Sequence, residues 1–298
     1  TIFEKFDSLN ANQAFIIHND HDPKPLYYQL LGERGNVFTW EYLENGPDIW
    51  EVKIAKVDVA ANRETIGELV AKDYRKAQVF KKMGIDFCCG GKKTVEEACK
   101  TKGLDPELVK AELAEVENSE KGNSLEFDKW DIGFLSDYIV NTHHHYVKEN
   151  TPFIPELANK VARVHGNRHP EVIEVARIFD HIATDLNLHM MKEERILFPF
   201  IKQMAEAAAN NVKIAPAPFG TVNNPTQMME MEHEQAGEDL SAIREATNDY
   251  ALPEDACASY TILYKKLQEF ENDLFSHVHL ENNILFPKAI ELEKELTA

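Results

Sequence analysis

Hydrophobic and polar positions fall into three regimes along the chain. Residues 1–59 alternate in short runs broken by turn signals. Ala14 to Ile17 reads as a strand, Asn19 to Pro23 as a turn, and Pro25 to Leu31 as a helix. Val37 to Tyr42 and Ile49 to Ile54 read as a hairpin joined through Glu44, Asn45, Gly46 and Pro47, giving a small α+β module. Residues 60–117 read as short helices. Thr65 with Glu68, and Thr94 with Glu97, are capping boxes, and Asp105-Pro106 starts another helix. The stretch Asn118 to Asn123 is polar and reads as a linker.

From residue 128 to 298 the apolar period is helical and the pattern repeats. His189 to Pro199 recurs as His277 to Pro287, with 6 of 11 positions identical at an offset of 88. His144 precedes His189 by 45 residues and His233 precedes His277 by 44, each interval fitting an antiparallel helix pair. Two such pairs make an antiparallel four-helix bundle. The expected fold class is multidomain: the α+β module (1–59), a short helical domain with a Cys-Cys motif (60–117) and the bundle (128–298).

The ladders expose an anomaly. In the last helix Leu263, Leu267, Phe270 and Leu274 lead into His277, Glu281 and Ile284. In the second, Ile178, Ile182 and Leu186 lead into His189, Glu193, Ile196 and Phe200. In the third, Met229, His233, Ala236, Leu240 and Ile243 share one face. An ionised glutamate in an apolar stripe costs several kcal/mol unless compensated. A hydrogen-bonded His–Glu network would suffice for one helix; for the repeated pattern a metal compensates better. In the first helix Ile139 points to His143 and Val140 to His144, and spacing leaves that choice open. Imidazole with carboxylate and no thiolate fits iron, manganese or zinc, and too many donors converge for one tetrahedral ion. The expectation is a dinuclear site with bridging carboxylates and an oxo or hydroxo bridge from solvent.

Composition narrows the class. The 298 residues carry 32 Lys+Arg and 51 Asp+Glu, a net charge of −19, which disfavours nucleic acid as a partner. No apolar run reaches the ~18–20 residues of a membrane helix, and no basic-then-apolar secretory start is visible. Four cysteines make no disulfide framework, which fits a reducing cytoplasm.

The segments around Ile139 to His144, His189 to Pro199, Glu232 to Glu238 and His277 to Pro287 together resemble the hemerythrin-like domain of the RIC (repair of iron centres, ScdA-type) di-iron proteins. Thr65 to Cys99, with Gly84-Ile-Asp-Phe-Cys-Cys-Gly-Gly91, resembles the small domain preceding the bundle in that family. The first segment, with Asn19 to Pro25 and Phe38 to Tyr42, resembles an uncharacterised α/β family often attached to such domains. The resemblance implies two iron ions held by His144, His189, His233 and His277 and bridged by Glu193 and Glu281. It selects His144 over His143 and implies that His165 and Glu232 lie near the site. Oxygen-carrying hemerythrin uses five His, one Glu and one Asp, so this ligand set favours nitric oxide or peroxide over reversible oxygen carriage.

Cys88 and Cys89 are adjacent, and a disulfide between neighbours strains its ring, so two free thiols are expected. The helix beginning near Thr94 could lower their pKa. Their plain reading is packing; the resemblance implies redox or iron/sulfur handling. Cys99 and Cys257 read as ordinary buried residues. His21, between two aspartates, reads as a solvated turn, and Trp40, Tyr42 and Trp50 as the packing of the hairpin.

The function implied is repair of iron–sulfur clusters damaged by nitrosative or oxidative stress, by iron donation, with damaged iron–sulfur proteins as partners. The competing expectations are a di-iron nitric oxide reductase or peroxidase, and a non-catalytic oxygen or nitric oxide sensor. A homodimer through the Cys-bearing domain is left open.

Overall fold

A computed structural model describes residues 2–10, 13–35, 37–47, 49–56, 64–118 and 125–297. The expected boundary at residues 59/60 and the linker after Asn118 lie outside them. The chain forms two compact bodies, Thr1–Glu64 and Thr65–Ala298.

In the first body α1 (Ile2–Asp7) and α2 (Lys24–Arg34) accompany an antiparallel sheet of order β1-β3-β2, formed by β1 (Ala14–Asn19), β2 (Phe38–Asn45) and β3 (Trp50–Lys56). Alternation puts Phe15, Phe38, Val52 and Ile54 into one small core with Phe6 and Leu30. Trp40, Tyr42 and Trp50 meet edge to face at 6.3 and 5.8 Å along the hairpin. His21 sits in an exposed turn, 2.6 Å from Asp20.

The second body begins with α3 (Ile66–Lys72), α4 (Lys76–Lys82), α5 (Val95–Lys102) and α6 (Pro106–Asn118). Both capping boxes form, on Thr65/Glu68 and Thr94/Glu97, and Asp105 accepts from the backbone N–H of Glu107 at 3.0 Å. Four rods follow. The first joins α7 (Ile132–Ile139) to α8 (His145–His165), the second α9 (Glu171–Lys192) to α10 (Phe198–Ala209), the third is α11 (Asn223–Ala246), and the fourth joins α12 (Ala258–Leu280) to α13 (Phe286–Thr297). The rods run alternately up and down. His144 and His277 meet where α8 begins and α12 ends, and His165 meets Cys257 at the opposite ends of those two helices.

Three rods contain a π-helical turn, at Val140–His144, Glu193–Leu197 and Glu281–Leu285. Such a turn inserts one residue into the α-helical register. It corrects one sequence expectation: the ladder of the second rod leaves its stripe after Glu193, so Ile196 is 51% exposed and Leu197 is buried in its place. It also explains the open choice in the first rod, because the wider turn brings both His143 and His144 inside.

The cysteine-bearing segment packs directly on the bundle. Phe87 lies edge to face on Phe275 at 6.3 Å, Lys92 pairs with Glu230 at 2.6 Å, and Tyr74 bonds Ser276. Among the described residues no helix is long and apolar enough to cross a membrane.

Candidate metal centre

The π turns deliver His144, Glu193 and Glu281 to one level of the bundle interior, where His189, His233 and His277 join them from regular α-helix. All six are buried, Glu193 and Glu281 completely. They form two groups, His144–Glu193–His277–Glu281 and His189–Glu193–His233–Glu281, and both carboxylates belong to both groups.

The spacings are those of atoms gathered around a cation. Donors at right angles on an ion, with bonds of about 2.1 Å, lie about 3.0 Å apart. His277 Nε2 is 3.0 Å from Glu281 Oε1, His233 Nε2 is 3.2 Å from Glu281 Oε2, and His189 Nε2 and His144 Nε2 are 3.2 and 3.3 Å from Glu193 Oε2. Yet His144 Nε2, both oxygens of Glu193 and Glu281 Oε2 are buried with no hydrogen-bond partner. Hydrogen bonds do not satisfy these atoms; a metal would.

The outer nitrogens fix which face of each ring points inward. His144 Nδ1 donates to Glu194 at 2.8 Å, His189 Nδ1 to Glu232 at 2.8 Å, and His233 Nδ1 to the side-chain oxygen of Asn282 at 2.8 Å. A ring that donates through Nδ1 to an acceptor presents the Nε2 lone pair to the interior. His189 and His233 thus aim Nε2 at each other, 2.9 Å apart. Two lone pairs at that distance repel unless a proton or a cation lies between them. Lys148 and Lys192 in turn pair with Glu194 and Glu232 at the surface.

Protons are the alternative occupants. Burial by itself lowers the pKa of His144 and His189, but Glu193 and Glu281 outweigh it and raise both to about 10. Burial, and for Glu193 the charge of Glu281, push the carboxylates up. The facing imidazoles reverse this, holding Glu193 at about 2 and Glu281 well below the usual range. Two imidazolium cations then balance two carboxylates. Burial keeps His277 below its ordinary pKa, and hence neutral.

The neighbouring histidines are sorted. His143 donates to Asp273 at 3.0 Å and stacks on His277 with ring centroids 5.5 Å apart, so it braces His277 from outside the cluster. His145 is exposed and pairs with Glu149 at 3.3 Å. His165 corrects an expectation. It lies at the far end of α8, about 30 Å from His144 by helical rise, and its Nε2 is 3.1 Å from Cys257 Sγ. Cys257 is exposed rather than buried, whereas Cys99 is buried.

All four cysteines are free thiols. Cys88 and Cys89 lie 3.9 Å apart, and Cys89 Sγ is 3.5 Å from the backbone oxygen of His233. Their pKa values are raised, against the lowering expected from a nearby helix start. Burial lifts Cys88 well above the ordinary value. For Cys89 the bond from Cys88 acts downward, but burial and the carboxylates of Asp86, Glu234 and Glu230 prevail. Sequence reasoning missed Glu194, Asn282, Asp273 and Asp86. The signal for the first two was available, since each directly follows a repeated glutamate, Glu193 or Glu281.

Residues 135–289 match the hemerythrin HHE cation binding domain, which contains the whole His/Glu cluster. Residues 62–117 match ScdA_N, a domain of unknown function (DUF542), and residues 1–56 match DUF2249, an uncharacterized conserved protein. A probable iron-sulfur cluster repair protein of Haemophilus influenzae is 34% identical over 229 residues, 76% of this chain and 97% of its own. The iron-sulfur cluster repair protein YtfE of Enterobacter sp. strain 638 is 35% identical over 232 residues, 78% of this chain and 99% of its own. That of Escherichia coli O8 is 34% identical over the same shares. The chain therefore belongs to the family of hemerythrin-domain iron–sulfur cluster repair proteins.

Proposed function

We propose that this chain is a di-iron protein that restores iron–sulfur clusters damaged by nitrosative or oxidative stress in a reducing cytoplasm. His144 and His277 would hold one iron, His189 and His233 the other, and Glu193 and Glu281 would bridge them. The observation that carries the reading is the sharing of both buried carboxylates between two pairs of imidazoles. Metal held by these residues would supply a position for a small ligand and a store of transferable iron.

The residues suit a metal that must leave again. Glu194, Glu232 and Asn282 hold three imidazoles in place whether or not an ion is bound. Once an ion departs, His144 and His189 can take up protons, so Glu193 and Glu281 are not left as unpaired buried charges. Cys88 and Cys89 would handle iron or sulfur beside the cluster, a reading supported by the approach of Cys89 to the backbone of His233.

The test is metal analysis of anaerobically purified protein, with a visible spectrum before and after nitric oxide. About two irons per chain, with absorption that responds to nitric oxide, is the expected result. Zinc, or no metal with the fold intact, overturns the di-iron reading.

A further inference from the structure

Asp86, Cys88 and Cys89 gather three donor atoms outside the His/Glu cluster. Their plain reading is packing, since Cys88 belongs to the apolar core of the bundle. Three features go beyond packing. Asp86 is exposed, yet its Oδ1 is turned to within 2.9 Å of the buried Cys88 Sγ. The two sulfurs are 3.9 Å apart, close to the edge of about 3.8 Å that a tetrahedral ion with bonds near 2.3 Å to sulfur imposes. The surroundings are also rich in carboxylates, since Asp86, Glu234 and Glu230, the last of them paired with Lys92, all act on Cys89.

The loop is held rigidly enough to present these atoms. Asp86 accepts the backbone N–H groups of Cys88 and Gly90, each at 2.9 Å. Asn283 Nδ2 donates to the carbonyls of Cys88 and Phe87 at 3.2 and 3.4 Å. Gly67 and Gly91 give that amide room, since a Cβ on either would come within 2.2 or 2.6 Å of Asn283 Oδ1.

The loop is also tied to the cluster. Asn283 lies in the same π turn as Glu281 and Asn282, the residue that orients His233. On α11, Cys89 touches the carbonyl of His233, and a Cβ at Gly237, one turn further on, would lie 3.8 Å from its sulfur. Cys89 therefore lies against the turn of α11 that runs from the ligand His233 to Gly237.

We propose that Asp86, Cys88 and Cys89 form a separate site for one borderline-soft divalent cation, a landing point for metal exchanging with the His/Glu cluster. Two thiolates and a carboxylate suit such an ion and leave a fourth tetrahedral position for the ligand that delivers or removes it. Binding releases the two thiol protons to solvent. The exchange role rests on the repair reading; the site itself does not.

The test uses the full chain, loaded with iron anaerobically, assayed for metal and then titrated with Co(II). Wild type is expected to bind one further Co(II) per chain, with thiolate-to-cobalt charge-transfer absorption and tetrahedral d–d bands. Cys88→Ser and Cys89→Ser should abolish that absorption and Asp86→Asn should weaken binding at least tenfold, all with unchanged iron content. Cys257→Ser should leave it intact. Absence of the band in wild type with its thiols reduced, or its survival in both Cys88→Ser and Cys89→Ser, overturns the site. Iron release to a ferrous chelator should slow at least fivefold in Cys89→Ser, and an unchanged rate overturns the landing role. The initial metal assay reads the di-iron centre separately. Zinc there sinks the repair reading while the thiolate band still tests this site.

Discussion

Replacing Glu281 by leucine tests the bridging arrangement more sharply than removing a histidine. Glu281 belongs to both groups of the cluster, so its loss takes one donor from each half at once, whereas His277 serves only one half. Metal content per chain should fall in the order wild type, His277→Ala, Glu281→Leu, with the glutamate variant holding no bridged pair. The fold should survive. Glu281 is fully buried, 3.2 Å from His233 and hydrogen-bonded to His277 at 3.0 Å, and its removal forfeits that bond, worth about 1–3 kcal/mol. Burying leucine there returns about 1.5–3 kcal/mol.

Near pH 10, where His144 and His189 have given up their protons, those contributions nearly cancel, and the chelated variant should lie within about 2 kcal/mol of chelated wild type. At lower pH the variant should be weaker, because the imidazolium of His144 loses one of its two carboxylates. The assays are metal analysis and urea unfolding of chelated protein. Glu281→Leu retaining two metals per chain would refute the bridging role. A variant that unfolds near pH 10 while chelated wild type stays folded would refute the view that this glutamate is held at a stability cost.

The remaining predictions concern protons and packing. His144 and His189 have folded-state pKa values raised to about 10, so their contribution to metal-free stability is complete below the unfolded value of 6.5 and is lost as pH rises towards 10. Chelated protein should lose melting temperature over that window while metal-loaded protein does not; parallel curves would exclude the proton-for-metal exchange. His279 is the opposite case. Burial between the rings of Phe87 and Tyr74 lowers its pKa to about 4, so its contribution is present above 6.5 and lost as pH falls through 4. That depression corresponds to about 3 kcal/mol, so His279→Phe should flatten the acid limb of a urea-unfolding series, and an unchanged limb would refute it. Tyr74→Phe removes the bond to Ser276 and should cost about 1 kcal/mol by the same measurement, without changing metal content.

The parts of this molecule that were legible in the sequence are those governed by period. Leu263, Leu267, Phe270, Leu274, His277, Glu281 and Ile284 all lie on the buried stripe that their steps of three and four describe. So do Met229, His233, Ala236, Leu240 and Ile243. Period failed where the backbone changed pitch, at Ile196 and at the His143/His144 choice, because nothing in the residue types marks a π turn. The placement of His165 near the site came from the family resemblance rather than from period, and it missed by the length of α8. Cys257 looked like a core residue by type but occupies the exposed position just before α12, where type is a poor guide. Glu194 and Asn282 were marked in the sequence by their place after the repeated glutamates, but not by role. Their roles depend on histidines carried by other rods, so only tertiary structure gives either residue its partner.

The duplication accounts for the pairing of ligands, and its divergence marks where the two halves meet different surroundings. After Glu193 comes Glu194, which holds His144 and reaches Lys148 at the surface. After Glu281 comes Asn282, which does the same service for His233 but is buried. A second carboxylate there would be another buried anion beside Glu281, and a neutral amide accepts the same imidazole proton without that cost. The third position diverges further. Arg195 is exposed to solvent, whereas Asn283 is enclosed by Gly67 and Gly91 and holds the carbonyl of Cys88. One turn of the repeat faces water, and its counterpart has become the seat of the cysteine-bearing segment. A cluster that was symmetric in its ligands thus opens to lysine and solvent on one side and to two thiols on the other. Direction in metal traffic would come from that asymmetry, since the ligands themselves supply none.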